Sequence, residues 1–131
     1  MNTKQQNILI WIVRLIAAII LLQTLFFKFS AAPVSIYIFT ELGMEPWGRI
    51  GTGLLELIAS ILILIPRTTV YGAIIGLGLM AGALFFHLTK LGIVVQNDSG
   101  KLFALALIVF IGCLILIISG RRQLMVLLKH S

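Results

Sequence analysis

Hydrophobic residues fall in four long runs along the chain. Runs of about twenty apolar residues have the length that a helix needs to cross the ~30 Å hydrocarbon core of a bilayer. The predicted spans are Ile8–Phe27, Gly48–Ile65, Val70–Leu88 and Leu102–Gly120. Because strand edges find no water to bond inside a bilayer, these runs predict helices. The expected fold is an all-α membrane protein, a single domain (1–131) with a bundle of four transmembrane helices.

The loop between the first two spans carries a short apolar segment of its own. Pro33–Leu42 is too short to cross a bilayer but apolar enough to lie at its surface as a short interfacial helix. Gly43 and Pro46 are expected to end this helix. In the third loop, Asn97–Gly100 predicts a turn in which an Asp or Ser side chain caps the fourth span.

Composition indicates that lipid is the solvent for most of the chain. Of the 131 residues, 60% are hydrophobic and 11% charged, against about 45–50% and 25% in soluble domains. Ten Lys and Arg against four Asp and Glu give a net charge of +6. Most of the basic residues lie near the ends of apolar runs, where they signal topology and contact anionic headgroups. The lipid bilayer is therefore an expected partner, and nucleic-acid binding is not expected.

The distribution of basic residues predicts the orientation of the chain. With four spans, both termini lie on the same side as the loop between the second and third spans. These segments hold five Lys and Arg and no acidic residue, against four Lys and Arg on the other side. This bias places both termini in the cytoplasm. Cleavage of the first run as a signal peptide is the alternative, but Lys28 stands between that run and the small residues 30–32.

Among the ionisable residues inside the predicted spans, Arg14, Glu56 and His87 are the ones that need an explanation. A charge at the bilayer centre costs roughly 2.5–3.5 kcal/mol on insertion scales, so each needs a partner or a reason. Helical spacing places Arg49, Glu56 and Ser60 on one narrow face of the second span, which is typical of an inward face. An ion pair between Arg14 and Glu56 is expected there, with snorkelling of Arg14 toward headgroups as the alternative.

Five polar residues form the candidate ligand-binding site or polar core, here called the polar seam: Arg14, Lys28, Arg49, Glu56 and His87. Lys28, Arg49 and His87 lie near the outer boundary of the spans, so the polar seam is expected to open outward. For these three, an ordinary side chain at the membrane boundary is the alternative. His87 has no second His or Cys at ligand spacing, so no metal site is expected. No catalytic motif occurs, and catalytic residues stay unassigned.

Glycine pairs on the third span predict close packing of helices. Gly72/Gly76 and Gly78/Gly82 both have the GxxxG spacing, and the two pairs lie on opposite sides of the helix. Either pair is a candidate surface for a homodimer.

Five short motifs follow one another along nearly the whole chain: Leu25–Phe29 (LFFKF), Leu42–Pro46 (LGMEP), Gly51–Leu57 (GTGLLEL), Leu62–Arg67 (LILIPR) and Ala83–Leu88 (ALFFHL). Their order and spacing resemble the DoxX-like family. The resemblance implies a small four-helix bundle in the cell (inner) membrane, with polar residues kept at Arg14, Lys28, Glu56 and His87. Members are linked to thiosulfate:quinone oxidoreductase subunits, oxidative-stress complexes, methylamine utilisation and receptor assembly, so the resemblance indicates fold more closely than function.

The leading functional hypothesis is an accessory subunit of a membrane-associated redox or stress-related complex. Its polar seam would hold a partner protein or a small lipophilic molecule such as the head group of a quinone. The alternatives are a subunit of a quinone-linked oxidoreductase and a small transporter or channel. The chain has no cysteine pair and no flavin motif, so no cofactor beyond a bound quinone is expected, and a redox role needs a partner that bears the electron carrier. Transport has less support, because paired broken helices are not evident.

Overall fold

The computed structural model describes residues 3–92 and 100–120. The helices in this part are α1 (Thr3–Phe29), α2 (Pro33–Glu41), α3 (Trp47–Leu64), α4 (Thr69–Phe86) and α5 (Lys101–Ser119), and a π-helical turn, His87–Leu91, extends α4. α1, α3, α4 with its π-helical turn, and α5 are long and apolar enough to cross a membrane. The described residues form no strand. The prediction of an all-α fold with four spanning helices is confirmed.

The four long helices form a ring. α1 packs against α3 and α5, and α4 packs against the same two helices, so α1 and α4 stand at opposite corners of the bundle. Because the chain runs alternately up and down, the ends of α1 and α4 meet the starts of α3 and α5. The short helix α2 contacts α1, α3 and the π-helical turn, and therefore lies across this end of the bundle, which we call the α2 end.

Small residues let the helices approach closely. Ala59 of α3 is fully buried, and a Cβ atom added at Gly72 of α4 would lie 2.7 Å from the Ala59 carbonyl oxygen and from the Ile63 nitrogen. Glycine is therefore required where α4 crosses α3. A Cβ at Gly76 would lie 2.9 Å from Cys113 Sγ on α5. Such close packing drives helix association in lipid, where the burial of apolar surface supplies no driving force because lipid tails are equally apolar.

The exposure pattern is the inverse of that in a soluble bundle. Large apolar side chains cover the outside, among them Ile19, Phe26, Leu54, Phe85 and Ile118. The buried polar residues include Arg14, Arg49, Glu56, Ser60 and His87. This distribution fits a bundle surrounded by hydrocarbon, in which polar groups must find their partners inside the protein.

The first loop contains the short helix expected there. Pro33 lies in the first turn of α2, where the missing backbone donor costs nothing. Gly43 follows the helix with a φ of +73°, a left-handed conformation that glycine adopts readily. The expected side-chain cap of the last helix falls on residues 97–99, outside the described residues, and Gly100 directly precedes α5.

Candidate functional site

The centre of the candidate site is an ion pair between α1 and α3. Lys28 Nζ lies 2.6 Å from Glu56 Oε1, and the Thr24 hydroxyl donates a hydrogen bond to Glu56 Oε2. The Glu56 side chain is 1% exposed and that of Lys28 16%. Thr24 and Lys28 are four residues apart, so one face of α1 presents both donors to the carboxylate. Within the described ranges, the Lys28 ammonium is the sole polar contact of Oε1.

The expected ion pair between Arg14 and Glu56 is wrong. Arg14 Nε donates to the Ile63 carbonyl at 2.9 Å, and Nη2 donates to the Leu64 carbonyl at 2.7 Å. The guanidinium also stacks over Trp11, 3.7 Å from the ring centroid. Arg14 lies level with Ile63, about two helical turns from Glu56, so it reaches the end of α3 instead of the carboxylate. The last carbonyls of a helix have no partner within it, and Arg14 caps two of them.

The same contacts exclude the snorkelling alternative for Arg14. The residue is 4% exposed, and its guanidinium is held by carbonyls inside the bundle. Arg14 therefore acts as a cap at the end of the bundle away from α2, where a cation is also favoured by the negative end of the α3 dipole.

Arg49 joins the first loop to the bundle. Its Nε lies 3.0 Å from both carboxylate oxygens of Glu45, and Nη1 donates to the backbone carbonyl of Lys28. These contacts tie the start of α3 to the last turn of α1. Arg49 thus supports the position of Lys28 through the backbone.

His87 begins the π-helical turn that extends α4, and it is 5% exposed. Its Nδ1 lies 2.9 Å from the carbonyl oxygen of Gly92. The ring packs edge-on against Phe103 of α5, with centroids 5.7 Å apart. π-Helical turns are rare and occur frequently at functional sites.

A cavity of about 300 Å³ lies inside the α2 end of the bundle. Residues from all five helices line it, and α2 covers it with side chains that include Val34, Ile38 and Phe39. Its polar lining residues are Thr24, Lys28, Ser35, Thr52, Glu56 and His87. Ligand pockets measure about 300–1,000 Å³ and combine apolar walls with a few placed polar groups, so this cavity suits a ligand the size of a single substituted ring.

Two cations at the α2 end, Lys28 and Arg49, are paired with carboxylates. Lys28 faces Glu56 at 2.6 Å, and Arg49 faces Glu45 at 3.0 Å. Each of these two cations therefore has its own carboxylate. A charged ligand would leave an additional buried charge to be paired, which is costly in a low-dielectric site. The arrangement favours a neutral ligand.

Comparisons of the chain with protein-family models, with curated proteins and with solved structures found no match. The functional assignment therefore depends on where the structure places the polar seam. Lys28, Glu56 and His87 all line the cavity. Arg49 lies beside it without lining it, and Arg14 is at the other end of the bundle.

The sequence pattern does not predict two features of the site. The first feature is the hydrogen bond from Thr24 to Glu56. Thr24 lies one turn before Lys28, and this i,i+4 spacing indicates that both side chains share one face of α1. The second feature is the position of α2 over the cavity. A nine-residue apolar helix packs equally well on lipid, so its sequence does not predict that it covers a cavity.

The two GxxxG pairs of α4 have different surroundings. Gly72 and Gly76 are buried against α3 and α5 of the same chain, so a homodimer through them would require the bundle to open. Gly78 and Gly82 line the cavity, and an added Cβ at either would meet nothing within 4 Å. The Gly78/Gly82 pair is therefore the one that stays free of packing within the chain.

Proposed function

We propose that this protein is an accessory subunit of a membrane-associated redox or stress-related complex, and that its cavity binds the head group of a small neutral lipophilic molecule. The candidate ligand is a quinone. The observation that carries the proposal is a cavity of about 300 Å³ whose mainly apolar wall includes the buried Lys28–Glu56 pair and His87. This combination is the usual form of a small-molecule site.

The shape and chemistry of the wall support a ring with polar oxygens. The Lys28 ammonium has three N–H groups, and its contact with one carboxylate oxygen leaves donors for a ligand oxygen. Leu79 and Leu105 supply apolar surface for the ring. Gly78 is exposed as well as part of the wall, so the cavity has a side-chain-free path for an apolar tail toward the surrounding hydrocarbon.

The role in a complex is supported by the resemblance to the DoxX-like family. The motif residues Lys28, Glu56 and His87 are the polar-seam residues that line the cavity. With both termini in the cytoplasm, the α2 end lies at the outer face of the cell (inner) membrane. Cysteine labelling in a Cys113→Ala background tests this orientation. An impermeant maleimide added to intact cells should label Lys90→Cys and spare Lys4→Cys, and the reverse pattern would contradict the orientation.

Photolabelling of the full chain in lipid nanodiscs with an azidoquinone tests the ligand site. The informative variant is Gly82→Leu, which adds a side chain to the cavity without meeting any atom within 4 Å of its Cβ. Gly51→Leu is the matched control, since Gly51 is equally unobstructed, exposed and outside the cavity. We expect labelled peptides from α1 and α4, loss of label in Gly82→Leu and retention in Gly51→Leu. Equal labelling of the two variants would contradict the proposal.

A further inference from the structure

The hydrogen bond of His87 fixes which ring nitrogen carries the proton. Nδ1 lies 2.9 Å from the carbonyl oxygen of Gly92. A carbonyl only accepts hydrogen bonds, so Nδ1 is the donor. In a neutral imidazole the other nitrogen, Nε2, is then an acceptor. Across residues 3–92 and 100–120, the structure records no donor to Nε2.

The surrounding structure holds the ring in this arrangement. His87 is 5% exposed, and the Phe103 ring stands against it at 76° with centroids 5.7 Å apart. A flipped ring would lose the hydrogen bond to Gly92, whose carbonyl would then be left without this donor. The fold itself therefore presents an acceptor nitrogen on a residue that lines the cavity.

Two donors of the cavity wall, Thr24 and Lys28, contact Glu56 and not His87. The Thr24 hydroxyl donates to Glu56, and the Lys28 ammonium is paired with the same carboxylate. These contacts leave the acceptor on His87 for a donor that the ligand brings. The charges of Lys28 and Glu56 also cancel. The ligand group that donates to His87 Nε2 is therefore expected to be a neutral hydroxyl.

We propose that the cavity selects a neutral ring carrying a hydroxyl group, a phenol or a hydroquinone, over the corresponding quinone, with the ligand hydroxyl donating to His87 Nε2. This inference rests on the proposed function and names the redox state of its ligand. A ligand hydroxyl at this position donates a hydrogen bond to Nε2. A quinone carbonyl oxygen is itself an acceptor and would form no hydrogen bond with Nε2. One hydrogen bond of ordinary strength corresponds to roughly tenfold in affinity.

Calorimetric titration of the full chain in nanodiscs tests the selection, with empty nanodiscs as the reference. The probes are trimethylhydroquinone, its dimethyl ether and trimethylbenzoquinone, under anaerobic conditions at about pH 8, where free imidazole is neutral. His87→Phe keeps an aromatic ring next to Phe103 and removes both nitrogens. Thr89→Val is the matched control, because Thr89 lies on the same π-helical turn but is exposed and outside the cavity.

We expect the hydroquinone to bind the wild-type chain and Thr89→Val at least about tenfold more tightly than the quinone or the ether. In His87→Phe the three affinities should agree within about threefold. Equal affinity of the wild-type chain for hydroquinone and quinone overturns the inference, even if His87→Phe fails to fold, and leaves the proposed function standing. A preference that survives in His87→Phe also overturns it. Binding of none of the three probes overturns the proposed function, and the inference with it.

Discussion

Lys28 Nζ and Glu56 Oε1 lie 2.6 Å apart and join α1 to α3 through a carboxylate that is 1% exposed. The contact provides a partner for a charge in the middle of α3, where an unpaired carboxylate would be costly. It also places an ammonium group in the wall of the cavity. Structure and the proposed binding site therefore depend on the same pair.

Glu56→Gln should destabilise the bundle, because it leaves the Lys28 ammonium beside a neutral amide. Removing one partner of a fully buried pair costs about 3–5 kcal/mol. Lys28 is 16% exposed, so its charge is partly relieved by water or headgroups, and we expect about 2 kcal/mol. Thermal unfolding in detergent measures the loss. Ser60→Ala is the control, since Ser60 is buried on the same helix and donates within it, to the Leu57 carbonyl.

A double-mutant cycle with Lys28→Met separates the ion pair from other effects of Glu56→Gln. If the two side chains interact directly, their substitutions are non-additive, and we expect a coupling of at least about 1 kcal/mol. Lys28→Met combined with Glu56→Gln should then be more stable than the sum of the two single changes predicts. Additive losses would contradict the ion pair.

Arg14→Met should destabilise the bundle independently of Glu56. The variant keeps the apolar stem near Trp11 but loses the hydrogen bonds to the Ile63 and Leu64 carbonyls. We expect a loss of roughly 1–3 kcal/mol, since buried acceptors are left without this donor. Combined with Glu56→Gln, the two losses should add within about 0.5 kcal/mol. A coupling as large as that of the Lys28 cycle would show that Arg14 contacts the carboxylate after all.

The sequence does not predict which cation pairs with Glu56. Run lengths predict the four spanning helices, and 100° spacing places Arg49, Glu56 and Ser60 on the buried face of α3. Neither pattern gives the axial offset between α1 and α3, which decides whether Arg14 or Lys28 reaches Glu56.

The cavity is also beyond the sequence. It lies where α2 covers one end of the ring of four long helices, which is a property of the assembled fold. The sequence does predict part of the cavity wall. Lys28, Glu56 and His87 are polar residues at positions where lipid contact would be costly, so they are expected to face the inside of the bundle. The sequence also does not distinguish Gly72 from Gly78, although the surroundings of the two residues differ entirely.

Gly72→Ala and Gly78→Ala should therefore have opposite effects on stability. At Gly72 the new Cβ would lie 2.7 Å from backbone atoms of α3, so the helices must separate, and overpacking of this kind costs about 1–3 kcal/mol. At Gly78 the new Cβ meets nothing within 4 Å, and alanine favours the helix by up to about 1 kcal/mol. Unfolding temperatures in one detergent compare the pair. Equal destabilisation by both changes would contradict the packing of α4 on α3.

The tautomer of His87 is open to direct observation. Because Nδ1 donates to the Gly92 carbonyl, ¹⁵N NMR of a histidine-labelled His130→Gln chain should show a protonated Nδ1 and an unprotonated Nε2 for His87. His87→Phe in the same background should remove the signals and so assign them. A protonated Nε2 beside an unprotonated Nδ1 would mean that the bond to Gly92 does not form as described.

The most direct test of the proposed site is native mass spectrometry of the full chain, extracted gently from its own membrane. We expect a bound molecule with the mass of a lipophilic ring compound, retained in Gly51→Leu and lost in Gly82→Leu, where the added side chain occupies the cavity. A wild-type chain that carries no such molecule, or a bound mass that persists unchanged in Gly82→Leu, would contradict the claim that this cavity is a ligand site.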